Sequence, residues 1–207
     1  MTIQTKVLAA DGPHAIQEAL SILKTGGLVA FPTDTVYGVG ALAFDDRAVQ
    51  KLFMAKERDP NKAIPVLIGN PAELALVTSQ VNVMAQILAQ RFWPGALTLV
   101  VPKSVTLSNH LTPYPTIGVR MPNHPIALKL LELAGPLAVT SANISGKMDA
   151  TTAEEVLQQL SGRVSLILDG GKTPGGSPST VVDCTGFEPK ILRQGLISQE
   201  EILAALG

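Results

Sequence analysis

Cysteines, aromatic residues and charges are few in this chain, and each shortage argues against a class of protein. The single cysteine, Cys184, excludes an internal disulfide and a thiolate metal cluster, and we expect it to be a buried, inert thiol. Aromatic residues make up 4% of the sequence, which argues against a stacking platform for single-stranded nucleic acid. The 16 Lys and Arg residues nearly balance the 17 Asp and Glu residues, so no overall basic field attracts nucleic acid.

Long apolar runs are missing as well. No run approaches the roughly 18 residues of a membrane-spanning helix, and residues 1–10 do not contain the apolar segment of a signal peptide. We therefore expect a soluble, cytoplasmic protein without a membrane partner. A length of 207 residues and a hydrophobic fraction of 46% predict one domain over residues 1–207 with a sizeable core.

Helical and strand patterns alternate along the whole chain. Apolar spacing predicts helices over residues 14–24, 46–55 (capped by Asp46), 81–92, 126–133 and 152–160, and a last helix capped by Ser198. Short apolar runs predict strands over residues 28–31, 63–68, 97–101, 116–121, 137–140, 180–184 and 190–193. The glycine-bearing segment 33–40 predicts a loop. This mixture predicts an α/β or α+β fold with a large sheet.

Two pairs of polar residues stand beside apolar runs. Lys56 and Arg58 follow the second predicted helix, and in an extended segment residues two apart point to the same side. Ser141 and Asn143 have the same spacing and follow a buried strand, at the end where open α/β sheets bind ligands. Together the pairs predict a pocket for an anion such as a polyphosphate. A solvated charge cluster and an ordinary turn are the alternatives.

Further polar residues at the ends of predicted strands extend this candidate site. Arg120 closes a strand and either clamps a carboxylate bidentately or forms a surface ion pair. Arg193 has the same position in a later strand. Thr33, Thr35 and Ser179 offer hydroxyl groups in predicted loops, and Asp34 offers a carboxylate.

Motifs of other enzyme classes do not meet their structural requirements. Residues 38–43 match a dinucleotide-binding glycine pattern, but they lie well past the end of the predicted strand. The three histidines do not have metal-ligand spacing, and no serine elbow is present. The sequence therefore does not support zinc or covalent catalysis, and we expect no protein-bound metal site.

Several segments resemble the sequence blocks of the YrdC/Sua5 family. Residues 31–38, FPTDTVYG, are similar to its P-T-[DE]-T-x-Y-G signature. The pairs Lys56-x-Arg58 and Ser141-x-Asn143 match its K-x-R and S-x-N pairs. Residues 91–98, 119–122, 141–146 and 179–183 are similar to further blocks, in the family's order. The chain therefore resembles the short, single-domain members of this family.

This resemblance implies a fold and a reaction. The implied fold is a twisted mixed sheet flanked by helices around a large concave cavity. Family members are threonylcarbamoyl-AMP synthases, which convert L-threonine, bicarbonate or CO2, and ATP with Mg2+ into threonylcarbamoyl-AMP and pyrophosphate. The product serves N6-threonylcarbamoylation of adenosine 37 in tRNA (t6A37). Downstream t6A transferase proteins, contact with tRNA or another RNA, and no tightly bound cofactor are implied.

The resemblance also divides the candidate residues between ATP and threonine. The catalytic and phosphate-binding set is Lys56, Arg58, Ser141 and Asn143. Further ATP-binding residues are Lys62, Thr116, Asp149 and Arg193. The threonine-binding set is Thr33, Thr35, Arg120 and Ser179.

Two other functions remain open. A YciO-type RNA-binding module, which binds tRNA or double-stranded RNA without this catalysis, would show salt-dependent RNA binding without ATP turnover. A carbamoyl-transfer enzyme that uses carbamoyl phosphate is the second, but such chemistry usually comes with extra domains. One departure from the family pattern is Asp59-Pro60, where the family often has a proline directly after Arg58.

Overall fold

The structure, a computed structural model, describes residues 4–176 and 178–207. Residues 1–3, part of the segment that we examined for a signal peptide, lie outside these ranges, as does Ser177. The α-helices of the described residues are α1 (Ala15–Lys24), α2 (Asp46–Lys56), α3 (Leu74–Val77), α4 (Val83–Phe92), α5 (Pro125–Ala134), α6 (Ala153–Leu160) and α7 (Gln199–Leu206). A single 3-10 turn, Pro71–Glu73, leads into α3.

The strands of the described residues belong to one mixed sheet. They are β1 (Lys6–Ala9), β2 (Val29–Pro32), β3 (Tyr37–Leu42), β4 (Val66–Leu67), β5 (Leu97–Pro102), β6 (Thr116–Arg120), β7 (Leu137–Ser141), β8 (Leu166–Asp169), β9 (Thr180–Asp183) and β10 (Lys190–Arg193). Their order across the sheet is β1-β8-β2-β3-β7-β4-β6-β5-β9-β10. The predicted large mixed sheet with flanking helices is confirmed.

The prediction of a loop over residues 33–40 is wrong in its second half. Strand β3 begins at Tyr37 and pairs antiparallel with β2 and β7. Glycine fits this strand because a Cβ atom at Gly38 would lie 2.8 Å from Val139 Cγ1. The glycines therefore allow close packing inside the sheet rather than marking a loop.

The start of α2 also differs from the prediction. Asp45, rather than Asp46, is the N-cap, and its carboxylate accepts hydrogen bonds from the backbone N–H groups of Arg47 and Ala48. The short elements β1, α3 and β8 were not predicted. Ser198 caps α7 as expected.

The two faces of the sheet are covered unequally. On one face, helices α2, α3, α4, α6 and α7 bury a large core that includes Leu52, Leu88 and Val156. On the other face, α1 and α5 pack on β2, β3 and β8 through residues such as Leu23 and Leu130. Side chains of β6, β5, β9 and β10 that point to this second face line a cavity instead. This half of the sheet is thereby left open to a ligand.

The helices in the described ranges include none that is both long enough and apolar enough to cross a membrane.

Candidate active site

A cavity of about 610 Å³ lies on the concave face of the sheet. Several neighbouring strands line the cavity, each with residues that are two apart along the strand, because alternate side chains of a strand point to the same face. Thr98 and Val100 on β5 and Gly118 and Arg120 on β6 are examples. The intervening Val119 packs in the core on the opposite face. A cavity of this volume suits a ligand the size of a cofactor.

Lys56 and Arg58 lie at the end of α2 but point to different places. The expected extended segment is wrong, because α2 continues to Lys56 and Glu57 has a left-handed conformation with φ of 53°. The backbone N–H of Arg58 donates to the carbonyl oxygen of Phe53 at 3.0 Å, which closes the helix. Arg58 lines the cavity after this turn, whereas Lys56 stays behind the cavity wall.

The Lys56 side chain is buried in the turn that follows β7, with 1% of its surface exposed. Its ammonium group donates hydrogen bonds to the backbone oxygens of Ser141 and Asn143 and, at 3.3 Å, to Asn143 Oδ1. Ser141 Oγ donates to the same Oδ1 at 2.6 Å. We call the group formed by Lys56, Arg58, Ser141, Asn143 and Asp149 the lysine wall.

The lysine wall carries more positive than negative charge. Burial, followed by the charge of Arg58, lowers the pKa of Lys56 to about 8, although Asp149 acts in the opposite direction. Lys56 is therefore still protonated at pH 7. Arg58 donates to the backbone oxygens of Lys62 and Ala63 at 3.1 and 2.8 Å. Within the described ranges neither cation forms an ion pair, so this wall favours an anionic ligand.

A second charged group lies at the end of β6. Arg120 Nη2 is 2.5 Å from Asp34 Oδ1, and Arg120 Nε donates to the carbonyl oxygen of Gly95 at 3.0 Å. The two charged side chains are only 10% and 16% exposed, so the ion pair is buried and not at the surface. His124 lies near this pair, and burial lowers its pKa while Asp34 raises it.

Arg193 and two hydroxyl groups continue this second group. The backbone oxygen of Ser179 accepts from Arg193 Nε and Nη2 at 3.2 and 2.9 Å. Ser179 Oγ accepts from Arg193 Nη2 at 3.1 Å and shares a hydrogen bond of 2.8 Å with Thr98 Oγ1. Partial burial and then the charge of Arg120 lower the pKa of Arg193. We call Asp34, Thr98, Arg120, Ser179 and Arg193 the arginine wall.

The turn between β2 and β3 contributes hydroxyl groups to the same cavity. Thr33 Oγ1 lies 3.1 Å from Thr35 Oγ1 and donates to the carbonyl oxygen of Val36 at 2.7 Å. The carbonyl oxygen of Thr35 accepts from the backbone N–H of Gly175 at 2.8 Å. This bond ties the segment after β8 to the cavity.

Most of the predicted site residues converge on this cavity. Those that line it are Thr33, Thr35, Arg58, Arg120, Ser141, Asp149, Ser179 and Arg193. Lys56 and Asn143 lie directly behind Ser141, to which both are hydrogen-bonded. Lys62 is exposed and Thr116 is the first residue of β6, and neither is part of the cavity wall.

The sequence reasoning does not identify Thr98 of the arginine wall, and it identifies Asp34 only as a carboxylate without a partner. Asp34 and Thr98 lie in segments 31–38 and 91–98, which resemble family blocks, so the resemblance was the available signal. Their partners, Arg120 and Ser179, are distant in sequence, so spacing alone does not reveal the contacts. Apolar lining residues such as Val139 have no distinguishing sequence signal.

Carboxylates are sparse around the cavity. Among residues 4–176 and 178–207, no three or more His, Cys, Asp and Glu side chains are grouped so as to hold a metal ion. Asp149 is a carboxylate on the cavity wall. A divalent cation at such a wall would take most of its oxygen ligands from a bound phosphate and water.

Comparison with known proteins identifies the family. A family model for Sua5, YciO and YrdC proteins, described as telomere recombination, matches residues 21–195. The chain belongs to the Sua5/YciO/YrdC family. Membership of this family confirms the resemblance read from the sequence blocks.

Similar proteins include a curated relative and two solved structures. The threonylcarbamoyl-AMP synthase of Pyrococcus abyssi is 43% identical over 209 residues, which cover 100% of this chain and 62% of that protein. A crystal structure of P. abyssi Sua5 complexed with L-threonine is 42% identical with a TM-score of 0.91, covering 100% of this chain and 61% of that one. The crystal structure of E. coli YciO is 28% identical with a TM-score of 0.80, covering 94% and 96%. The chain spans about 60% of the length of the first curated relatives it matches.

Proposed function

We propose that the chain is an L-threonylcarbamoyladenylate synthase, which makes threonylcarbamoyl-AMP and pyrophosphate from L-threonine, bicarbonate or CO2, and ATP. The observation that carries the proposal is that one cavity is lined both by Arg58, a cation without an ion pair in the described ranges, and by Arg120, a cation that is paired with a carboxylate. Arg58, with the Lys56 cation behind it, suits a polyphosphate, and the Arg120–Asp34 pair suits a zwitterionic amino acid. The name of the P. abyssi relative and the Sua5 complex with L-threonine support this function.

The lysine wall would bind ATP. Arg58 and Ser141 face the cavity and would meet the phosphates, with Lys56 and Asn143 directly behind them. Mg2+ would arrive as part of the substrate, bound to ATP, and Asp149 would lie beside it. Lys62, Thr116 and Arg193 are further candidates for contacts with ATP, Lys62 because it lies next to Arg58.

The arginine wall would bind L-threonine. Arg120 uses Nε and Nη2 to bond Gly95 and Asp34, which leaves Nη1, without a hydrogen-bond partner in the described ranges, to meet the substrate carboxylate. The hydroxyl groups that would complete the threonine site belong to Thr33, Thr35 and Ser179.

The proposed reaction has two steps. The amine of threonine adds to CO2 and loses a proton, which gives a carbamate. A carbamate oxygen then attacks the α-phosphorus of ATP, the bond to the bridging oxygen breaks, and pyrophosphate leaves. Because this nucleophile is already anionic, the second step needs no strong protein base. The two walls would act by holding the reactants in line and by stabilising the charge on the phosphates.

The proposed product indicates the pathway and the compartment of the reaction. We propose that t6A transferase proteins use threonylcarbamoyl-AMP to modify adenosine in tRNA, and that the chain works in the cytoplasm, where ATP and tRNA occur together. Contact with tRNA, and the absence of a tightly bound cofactor, belong to the same proposal. Residues 1–207 would act as one domain, since strands from β1 to β10 share one sheet.

A YciO-type RNA-binding module is the second candidate. The observation that favours it is the fold that this chain shares with E. coli YciO, which is 28% identical with a TM-score of 0.80. Such a module would bind tRNA or double-stranded RNA with an affinity that falls steeply with salt. It would not release pyrophosphate from ATP.

Pyrophosphate release from MgATP tests the proposed function. The assay is run with both L-threonine and bicarbonate, with each one alone, and with neither. A synthase releases pyrophosphate only when both are present, and substitution of L-threonine by L-valine removes most of the rate. Release that needs neither substrate, or no release together with tight RNA binding, would contradict the proposal.

A further inference from the structure

Lys56 uses all of its hydrogen-bond donors inside the protein. An ammonium group has three N–H donors and no acceptor. The three acceptors around Lys56 Nζ are the backbone oxygens of Ser141 and Asn143 and the amide oxygen of Asn143. No donor is left over for a phosphate oxygen.

The backbone of Lys56 holds the same turn. Its carbonyl oxygen accepts a hydrogen bond of 2.9 Å from the backbone N–H of Ser145. Asn143 connects both ends of the turn, because its Nδ2 donates to the carbonyl oxygens of Ile144 at 3.0 Å and of Lys147 at 2.7 Å. Residues 141–147 are therefore fixed to the end of α2 by both the side chain and the backbone of one lysine.

Arg58 and Lys56 differ in how accessible they are to a ligand in the cavity. Arg58 lines the cavity and is partly exposed, whereas Lys56 is 1% exposed and lies outside the cavity wall. The charged groups that act on Lys56 are Arg58, which lowers its pKa, and Asp149, which raises it. The two cations of the K-x-R pair thus have unequal access to a ligand.

We propose that Lys56 is a positioning residue that fixes the turn 141–147, so that Ser141 faces the cavity, and that Lys56 does not itself contact the bound nucleotide. This inference rests on the proposed ATP site. It deepens that proposal by assigning direct phosphate contact to Arg58 and indirect action, through the turn, to Lys56.

The two roles respond differently to substitution. A lysine that binds phosphate as a point charge is replaced tolerably by arginine, which also binds phosphate. Arginine cannot replace a lysine whose ammonium group fits three converging acceptors, because the guanidinium is planar, larger and rigid. Lys56→Arg should therefore be about as damaging as the uncharged Lys56→Met, if Lys56 positions the turn.

The test combines nucleotide binding with amide hydrogen exchange. Dissociation constants for MgATP and for AMP, which lacks the β- and γ-phosphates, are measured by calorimetry for the unaltered protein, Lys56→Met, Lys56→Arg and Arg58→Met. Exchange of the amides of residues 142–147 is measured without ligand, with the amides of α1 as an internal reference. Circular dichroism shows whether each variant folds. If a Lys56 variant does not fold, Lys56→Gln is used in its place.

The expected result has two parts. Arg58→Met raises the dissociation constant for ATP at least tenfold more than that for AMP. It leaves amide exchange in residues 142–147 unchanged. Both Lys56 variants change the ratio of the two constants by less than threefold and speed exchange in the turn at least tenfold relative to α1.

Other outcomes overturn the inference. It fails if Lys56→Met weakens the binding of ATP more than that of AMP, as Arg58→Met does. It also fails if Lys56→Arg binds both nucleotides normally, or if the amides of residues 142–147 remain protected from exchange in both Lys56 variants. If the unaltered protein binds neither nucleotide, the proposed function fails. The exchange comparison then still decides whether Lys56 holds the turn.

Discussion

The lysine wall and the arginine wall face one cavity but stabilise their cations in different ways. In the lysine wall, Lys56 and Arg58 donate to uncharged oxygens, most of them backbone carbonyls. In the arginine wall, Arg120 donates to the carboxylate of Asp34. The first arrangement holds the side chains in place without cancelling their charge, whereas the second cancels the charge of Arg120 but not that of Arg193, which donates to uncharged oxygens of Ser179.

This difference indicates how one cavity can distinguish two substrates. A cation without a paired carboxylate attracts a polyanion, and it forms its strongest hydrogen bonds when phosphates bind. A cancelled pair offers a positive and a negative group side by side, so it matches the ammonium and carboxylate groups of an amino acid. The predictions below test this comparison, beginning with the largest expected effect.

Breaking the buried ion pair of the arginine wall should cost the most stability. Arg120→Met leaves the Asp34 carboxylate buried and unpaired, and we expect the free energy of unfolding to fall by about 3–5 kcal/mol in urea denaturation. The exposed pair Lys6–Glu18, at 2.6 Å, is the matched control. Lys6→Met should cost less than about 1 kcal/mol.

The partner substitution sharpens this prediction. In the double variant Arg120→Met/Asp34→Asn the unpaired charge is gone, so part of the lost stability should return. If Arg120→Met costs no more than Lys6→Met, the charges of the arginine wall are not coupled as described.

Removal of Arg58 should affect the reaction rather than the fold. Arg58→Met is expected to slow pyrophosphate release by about 100-fold or more, because a cation at the transferred phosphates is lost. Arg47→Met is the matched control, since Arg47 is exposed at the other end of α2. Near-normal turnover in Arg58→Met would remove the lysine wall from the mechanism.

The buried charge of Lys56 should make stability depend on pH. Its pKa is about 8 in the folded protein and 10.5 as the ordinary value, so between these values the unfolded chain binds more protons. Stability of the unaltered protein should therefore rise, relative to Lys56→Met, as pH increases from 8 to 10.5, by at most about 3 kcal/mol. Urea denaturation of both proteins at pH 7 and pH 10 measures this difference, and an unchanged difference would show that Lys56 is not buried as a cation.

The smallest expected effect concerns the strand that supports the arginine wall. Cys184 follows β9 and is fully buried, and burial, followed by the charge of Asp183, raises the pKa of its thiol to about 12. Maleimide should label Cys184 slowly in the folded protein and rapidly in urea. Rapid labelling without urea would show that β9 opens readily and that the arginine wall is less firmly held than the lysine wall.

The sequence predicts the elements of the fold better than the geometry of the site. Apolar spacing identifies α2, α4, α5 and α6 because each buries one continuous face in the core. The start of β3 was misread because Gly38 and Gly40 suggest a loop, although their lack of side chains serves the packing of β3. Strand β1, with one partner in the sheet and little burial, gives only a weak pattern.

Prediction of the site fails where long-range contacts decide the outcome. The spacing of Lys56 and Arg58 suggested one shared direction, but a single left-handed residue, Glu57, separates the two side chains. Nothing in the sequence shows that Asp34 pairs with Arg120, 86 residues later. The family blocks mark which residues matter, and the structure shows what each one contacts.

A crystal structure with L-threonine and a non-hydrolysable ATP analogue tests the central claim most directly. The account predicts the triphosphate against Arg58 and Ser141, the threonine carboxylate against Arg120, and Lys56 still bonded to the turn after β7. A triphosphate bound at the Arg120–Asp34 pair, or outside the cavity, would contradict it.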